Sequence, residues 1–242
     1  MPKLILKNFQ NEKSELFYYD FTDRKIKKGH AKSLYTEEGY YSEYVEQFLS
    51  KEIEAPLGVL VKFLLETEFI DADNPPGAYK EIAFNYLYAL LSRAPKMIEE
   101  INENAVLFQF FSELDRHNIA AHDIFRMAKE KNLLKEYNVA FLDNQSLEQL
   151  ILPTGGVIQY GEKLVCPISP NRAIVFDKKD VNKGNADRNR NYVSVYEISS
   201  ERKIHEINHA GIIQESRHNR KYVVGTNKEF LENIIIEVAE NM

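Results

Sequence analysis

The sequence has little that could hold a small fold together covalently. Among its 242 residues there is one cysteine, Cys166, and no tryptophan. A lone thiol has no partner in the chain, which excludes a disulfide-stapled scaffold. No apolar run approaches the roughly 20 residues that a membrane-spanning helix needs, and residues 1–15 lack the apolar core and cleavage site of a secretory signal. We therefore expect a soluble cytoplasmic protein.

What the sequence does contain is enough apolar material for a core. Hydrophobic residues make up 44% of the chain, with 14 Tyr and 14 Phe. This content is sufficient to offset the conformational entropy lost on folding, so the composition excludes an intrinsically disordered chain. We find no internal repeat and no linker that separates two domains, and the sequence predicts a single domain over residues 1–242.

The first part of the chain predicts strands followed by helices. Apolar or aromatic stretches predict strands at Leu4–Phe9 and Glu15–Phe21, and Ile26 opens a third strand. From Ser42, a predicted N-cap, apolar residues recur at helical spacing. Pro56 suits the first position of a new helix. Further helices are predicted around residues 82–91, 97–113 and 118–137.

After Asn138 the pattern becomes short apolar runs separated by turn residues, which predicts antiparallel strands. The runs are at residues 139–142, 149–152, 157–160, 164–168 and 173–176. Residues 194–216 are predicted to be helical, 222–224 a strand, and Asn227 the cap of a last helix. The predicted fold is α+β: an N-terminal β-hairpin or meander, a central helical layer, and C-terminal antiparallel strands with two helices.

The net charge of −6 is unevenly distributed along the chain. Residues 1–159 hold 18 Lys and Arg against 25 Asp and Glu, whereas residues 160–228 hold 13 against 8. The cations cluster at 178–190 and 217–221. Such segments bind nucleic acid in some proteins and are solvated loops and helix ends in others, and both interpretations are open.

One metal-site expression occurs in the sequence. His205-Glu206-Ile207-Asn208-His209 satisfies H-E-x-x-H, in which two imidazoles four residues apart share a zinc ion while the glutamate acts as general base. His205 and His209 are the only metal candidates, and no third ligand follows at the usual spacing. A surface helix with polar residues is the alternative interpretation. No cofactor is predicted.

Two smaller features have simple structural interpretations. Gly155-Gly156 lacks the lysine and the glycine spacing of phosphate-binding loops, which favours a turn between strands. Cys166 lies in an apolar strand without a nearby charge to lower its pKa, which favours a buried structural thiol over a nucleophile.

The order of features resembles a bacterial family catalogued as domain of unknown function 4238. The opening Pro2–Phe9 is similar to the family's Pro-x-x-Leu-Leu-x-x-Phe stretch, and Pro167–Arg172 to its Pro-Leu-Ser-Pro turn. Shorter likenesses lie at Tyr40-Tyr41, Leu49 with Glu52 and Glu54, Ser92–Lys96, Leu152–Val157, Ile207–Ala210 and Tyr222–Val224.

Two departures bear on what the resemblance implies. The histidine of the opening motif would precede Met1, and glycine in the 155–156 pair stands where the family has the aspartate of Thr-Ser-Asp. If those groups form a polar site in relatives, this chain is a binding or degenerate form. The family brings no established reaction, and Asn208 rather than His205 or Glu206 is its matching position.

We therefore predict that a small anionic ligand binds in a polar cleft where the helical layer meets the C-terminal strands. Arginine and asparagine at element junctions can present fixed donors to a phosphate or carboxylate. The predicted ligand-binding residues are Arg93, Thr154, Asn171, Arg172, Asn208 and His209. The alternatives are a nucleic-acid effector or binder that uses residues 178–190 and 217–221, and a zinc hydrolase built on His205, Glu206 and His209.

Overall fold

The computed structural model of the chain describes residues 2–32, 34, 42–66, 78–92, 118–119, 126, 130, 135–179, 194–217 and 221–240. The helices within them are α1 (Lys3–Lys7), α2 (Glu43–Phe48), α3 (Ala55–Glu66), α4 (Tyr79–Ser92), α5 (Glu201–Arg217) and α6 (Lys228–Glu240), with a π-helical segment at Leu49–Glu54. The strands are β1 (Leu16–Asp20), β2 (Lys25–Gly29), β3 (Tyr137–Asn144), β4 (Leu152–Pro153), β5 (Ile158–Tyr160), β6 (Lys163–Ser169), β7 (Arg172–Lys178), β8 (Ser194–Ile198) and β9 (Tyr222–Gly225). The α+β class is confirmed.

The first predicted strand is wrong, because residues 3–7 form the short helix α1. Ile5, Leu6 and Phe9 are all fully buried, a spacing that fits one helical face and not the alternation of a strand. Short apolar runs of this kind do not distinguish a helix from a strand by periodicity.

Four strands form one antiparallel sheet in the order β2-β1-β9-β4. The predicted hairpin of β1 and β2 is confirmed, with Leu16 opposite Gly29 and Asp20 opposite Lys25. The other edge of β1 pairs with β9 near the end of the chain. The two ends of the sequence therefore meet in one sheet.

The helical layer begins as predicted, since the Ser42 hydroxyl accepts the Val45 N–H at 3.4 Å. Pro56 does not start a separate helix, because helical backbone continues from Glu43 to Glu66. In a regular α-helix a proline ring clashes with the carbonyl one turn earlier. Here that turn is the wider π segment, in which the Ala55 N–H donates to the Ser50 carbonyl.

The apolar stripes of α3 and α4 pack into one hydrophobic cluster. Leu65, which follows the buried Leu64 on α3, is 39% exposed. The helices predicted at 97–113 and over most of 118–137 lie outside the described residues.

The other five strands form a sheet in the order β5-β6-β7-β3-β8. Its pairs are antiparallel except β3 with β8, which is parallel. The prediction of helix from residue 194 is wrong for Ser194–Ile198, which add β8 to the edge of β3. Helix α5 then begins at Glu201, as the Ser200 carbonyl accepts the N–H groups of Lys203 and Ile204 at 3.1 and 3.3 Å.

This second sheet is covered on both faces, which explains its uninterrupted apolar runs. Phe141 and Phe176 point into the cluster that contains α3 and α4. Leu142 and Val175 point into a second cluster with residues of α5 and α6. None of the described helices is long and apolar enough to cross a membrane.

Candidate functional site

Helix α5 carries four of the residues that the sequence singled out, His205, Glu206, Asn208 and His209. Asn208 is fully buried. Its side-chain oxygen accepts the Ile151 N–H at 3.0 Å, and its amide donates to the Gln149 carbonyl at 2.7 Å. Both ends of the side chain are therefore bonded to the backbone that leads into β4.

Thr154, directly after β4, also bonds to the backbone of another segment. Its N–H lies 3.0 Å from both the Tyr222 carbonyl and a carboxylate oxygen of the fully buried Glu215. Its hydroxyl donates to the Tyr222 carbonyl at 2.5 Å and accepts the Tyr222 N–H at 2.8 Å. Thr154 thus extends the pairing of β4 with β9.

Asn171 and Arg172 lie at the hairpin between β6 and β7. The Asn171 carbonyl accepts the Asn144 N–H at 2.8 Å. Arg172 forms an ion pair with Asp143 at 2.9 Å and donates to the Leu64 carbonyl at 2.6 Å. Burial lowers the pKa of Arg172 although the Asp143 charge acts in the opposite direction. The arginine therefore fastens the sheet to the end of α3, a common way to bond the last carbonyls of a helix.

The geometry of the H-E-x-x-H residues offers no support for a zinc site. His205 Nδ1 lies 3.1 Å from Glu148, and Nε2 lies 3.2 Å from Glu237. Glu206 accepts the Tyr160 hydroxyl at 2.8 Å and Arg202 Nε at 3.0 Å, and these donors lower its pKa. Among the described residues, no group of three or more His, Cys, Asp or Glu side chains could hold a metal ion.

In the described part of the chain, these bonds of the predicted site residues go to different parts of the fold. Asn208 bonds the backbone at residues 149 and 151, and Thr154 bonds Glu215 and Tyr222, whereas Asn171 and Arg172 bond β3 and α3. His209 lies beside His205, with ring centroids 6.4 Å apart. Arg93 lies outside the described residues, as do 180–193 and 218–220 of the basic segments.

Cys166 and the glycine pair have the structural roles expected of them. Cys166 is fully buried, and burial raises the pKa of its thiol, which disfavours the reactive thiolate. Gly156 has φ +69° in the turn after β4.

A groove that no sequence pattern predicts lies between the β1–β2 hairpin and α6. Its volume is about 410 Å³, within the size range of small-molecule sites. The residues that line it are Tyr19, Arg24, Lys25, Ile26, Lys228, Glu232, Ile235 and Ile236. Apolar side chains from β2 and α6 form part of its walls, and cations lie among them.

Two of these cations, Arg24 and Lys25, have no carboxylate partner among the described residues, because Lys27 binds the carboxylates nearest to them in sequence. Lys27 bonds to Asp20 at 2.8 Å and also to Asp23, and these contacts raise its pKa. Lys27 therefore takes the two carboxylates closest in sequence to Arg24 and Lys25. In the described part of the chain, neither Arg24 nor Lys25 has an ion-pair partner.

The third cation of the groove is partly compensated. Lys228 pairs with Glu232 one turn later on α6, at 3.0 Å. The groove thus carries an excess of positive charge in a chain whose net charge is −6. A local cation excess of this kind attracts anions.

Comparison with known proteins adds no relative. No known family, curated protein or solved structure matches the chain.

Proposed function

We propose that the protein binds a small anionic ligand in the groove between the β1–β2 hairpin and α6. The observation that carries this proposal is the pair of exposed cations, Arg24 and Lys25, at a groove with apolar walls. A carboxylate or phosphate would neutralise both charges, and arginine can bind either group through two parallel hydrogen bonds. Ile26, Ile235 and Ile236 offer contact to an apolar part of the same ligand.

The anionic ligand predicted from sequence is thus retained, but at a different place. Asn208, Thr154 and Arg172, three of the residues first proposed for the cleft, bond to backbone and ion-pair partners. Arg24 and Lys25 have no such partner in the described structure. A ligand gains more from a cation that is not already paired.

The proposal is tested with simple aromatic probes followed by NMR. We expect benzoate and phenyl phosphate to shift the methyl signals of Ile26, Ile235 and Ile236, and uncharged benzamide to do so much less. Added salt should weaken the binding of the anions, because part of the attraction is electrostatic.

A pair of charge-reversal variants separates the groove from the general charge of the protein. Lys25→Glu is expected to weaken benzoate binding about tenfold, which corresponds to about 1.4 kcal/mol. Lys13→Glu makes the same change of charge in the exposed loop before β1 and should leave the affinity within about twofold. Equal losses in the two variants, or no methyl shift with either anion, would contradict the proposal.

The order of sequence features supports the further proposal that the chain belongs to the domain-of-unknown-function 4238 family of bacteria, and its composition supports a cytoplasmic location. Nucleic-acid binding by 178–190 and 217–221 and zinc chemistry at His205 and His209 stay alternative proposals. No contact among the described residues favours either of them.

A further inference from the structure

Strand β2 lies at one end of its sheet and has an open edge. Among the described residues, its only neighbour in the sheet is β1. In an antiparallel pair, the backbone groups of successive residues alternate between pointing toward the partner strand and pointing away from it. At least two of the residues in Lys25–Gly29 therefore present both an N–H and a C=O at the outer edge. No backbone group in the described ranges bonds to them there.

The groove between the hairpin and α6 reaches this open edge. Both Lys25 and Ile26 line the groove, although successive side chains of a strand point to opposite faces of the sheet. One groove can contact both residues only around an edge of β2, and β1 occupies the inner edge. The groove therefore opens onto the outer edge, where the unpaired backbone groups lie.

The α6 wall of the groove is long enough for several residues of extended chain. Lys228, Glu232, Ile235 and Ile236 line it, and positions i, i+4, i+7 and i+8 share one face of a helix. At about 1.5 Å per residue, the eight steps from 228 to 236 cover about 12 Å. An extended chain rises about 3.3 Å per residue, so roughly four of its residues fit along this wall.

The two faces of β2 would contact different side chains of an added strand. Ile26 packs against the hydrophobic cluster that contains residues of α6, and Ile236, which also lines the groove, is 56% exposed. Lys25 and Lys27 lie on the opposite face, and of these Lys27 is already paired with carboxylates. A strand with apolar side chains on one face and carboxylates on the other would complement both faces.

The charge of β2 distinguishes between two kinds of added strand. Lysines on an edge strand usually prevent sheets from pairing edge to edge. Pairing with β2 of a second copy would bring Lys25, Lys27 and Lys28 of both strands together, and like charges in facing positions destabilise a strand pair. The same lysines attract a strand that carries carboxylates. The charge therefore favours an acidic peptide over another copy of this chain.

We propose that an extended acidic segment of another protein adds to β2 as a further strand. Its backbone bonds to the open edge, its apolar side chains contact Ile26 and Ile236, and its carboxylates face Arg24 and Lys25. Strand addition takes its affinity from main-chain hydrogen bonds and its specificity from alternate side chains. The proposal rests on the proposed function at one point, because the peptide carboxylates take the place of the small anion.

The test adds the peptide acetyl-Glu-Ile-Glu-Val-Glu-Ile-Glu-amide to the protein. At least two amides within Lys25–Gly29 should gain protection against hydrogen exchange, and an NMR titration gives the affinity. The same peptide with lysine in place of every glutamate should bind at least about tenfold more weakly. Lys25→Glu should weaken binding of the acidic peptide about tenfold, whereas Lys13→Glu should leave it within about twofold.

Two N-methylated peptides separate strand addition from attraction between charges alone. One carries N-methyl groups on its glutamates and the other on its isoleucines and valine, so each blocks the N–H groups of one alternate set. Only one of these sets can point toward β2. The peptide blocked on that set should therefore bind at least about tenfold more weakly than the other.

The outcomes distinguish this proposal from the binding of small anions. Equal binding of the two N-methylated peptides, equal binding of the acidic and basic peptides, or equal losses in the two protein variants would overturn it. Benzoate binding without protection of β2 by the peptide would also overturn it and leave the proposed function standing. Protection of β2 by the peptide without benzoate binding would support strand addition and contradict the binding of a small anion.

Discussion

A single buried amide, Asn208, accounts for much of the order in the segment before β4. An apolar residue there would leave the Ile151 N–H and the Gln149 carbonyl without their side-chain partner. Buried backbone groups are nearly always hydrogen-bonded in folded proteins. The asparagine therefore stabilises backbone that belongs to no regular ladder at this point.

We expect Asn208→Ala to lower the free energy of unfolding by about 2–4 kcal/mol, because each buried backbone group left unpaired costs about 1–3 kcal/mol. Chemical denaturation measures the loss. His209→Ala, at a partly exposed position one residue later, should cost less than about 1 kcal/mol. A stable Asn208→Ala protein that no longer binds benzoate would instead support the ligand-binding role predicted from sequence.

The H-E-x-x-H residues match a zinc-site expression in sequence, but their contacts in the structure give a zinc site no support. The spacing places both histidines on one face of α5, as the expression predicts. Bonding is decided by residues far away in sequence: Glu148 and Glu237 face His205, and Tyr160 bonds Glu206. No sequence pattern around residues 205–209 predicts these partners.

At the scale of elements, two glycines lie in opposite environments. A Cβ on Gly225, at the end of β9, would lie 2.8 Å from Cγ and 2.9 Å from Cδ2 of Leu231, a fully buried side chain of α6. A Cβ on Gly58, inside α3, would meet Leu4 at an ordinary 3.6 Å. The first glycine permits a close approach between a strand and a helix, whereas the second only lowers helix propensity.

The two substitutions to alanine should therefore have opposite signs. Gly225→Ala is expected to destabilise the protein by about 1–3 kcal/mol through overpacking. Gly58→Ala should stabilise it by about 0.5–1 kcal/mol, the usual difference in a helix interior. Thermal unfolding of both variants checks this, and a stable Gly225→Ala protein would mean that Leu231 can move aside.

The elements that were mispredicted from the sequence are short. Whether each forms a helix or a strand depends on the part of the fold with which it packs or pairs. Residues 3–7 are helical because Ile5, Leu6 and Phe9 all reach the core from that geometry. Ser194–Ile198 form a strand because β3 has a free edge to pair with. By contrast, α3, α4 and α6 have caps or long apolar stripes of their own, and these helices were predicted correctly apart from the separate start expected at Pro56.

At the scale of the whole molecule, the first sheet depends on a strand from the end of the chain. β9 lies between β1 and β4 in that sheet, and Val223 and Val224 are fully buried. A two-stranded hairpin alone is marginally stable in water. The β1–β2 hairpin, and with it one wall of the groove, is therefore stabilised by residues about 200 positions later in the sequence.

A proline in β9 tests this dependence. Val223→Pro removes a backbone donor from a central strand, and we expect the amides of β1, β2 and β4 to lose their hydrogen-exchange protection together with those of β9. Ile198→Pro, at the end of β8 on the edge of the other sheet, is the matched control and should leave β1 protected. Retained protection of β1 in Val223→Pro would show that the hairpin is stable without β9.

The candidate site could be predicted only in part. Its cations are neighbours in the sequence, whereas its walls come from segments that are far apart in the sequence. The sequence contains four cations between positions 24 and 28. This cluster is a signal for the site, but only the basic segments 178–190 and 217–221 were considered for binding. Two of the four are neutralised by ion pairs, Lys27 with Asp20 and Asp23, and Lys28 with Glu15. The opposite wall comes from α6, which only the pairing of β1 with β9 brings near the hairpin.

The sequence by itself determined the class of the protein: an aromatic-rich α+β chain with one buried thiol, a helical layer, and apolar strands in its C-terminal half. These properties follow from composition, capping and periodicity, which act over a few neighbouring residues. The tertiary structure decided the state of the short apolar segments, the partners of His205 and Asn208, and the position of the groove. Those outcomes depend on contacts between distant residues, and such contacts form only when both sheets and their covering helices have assembled.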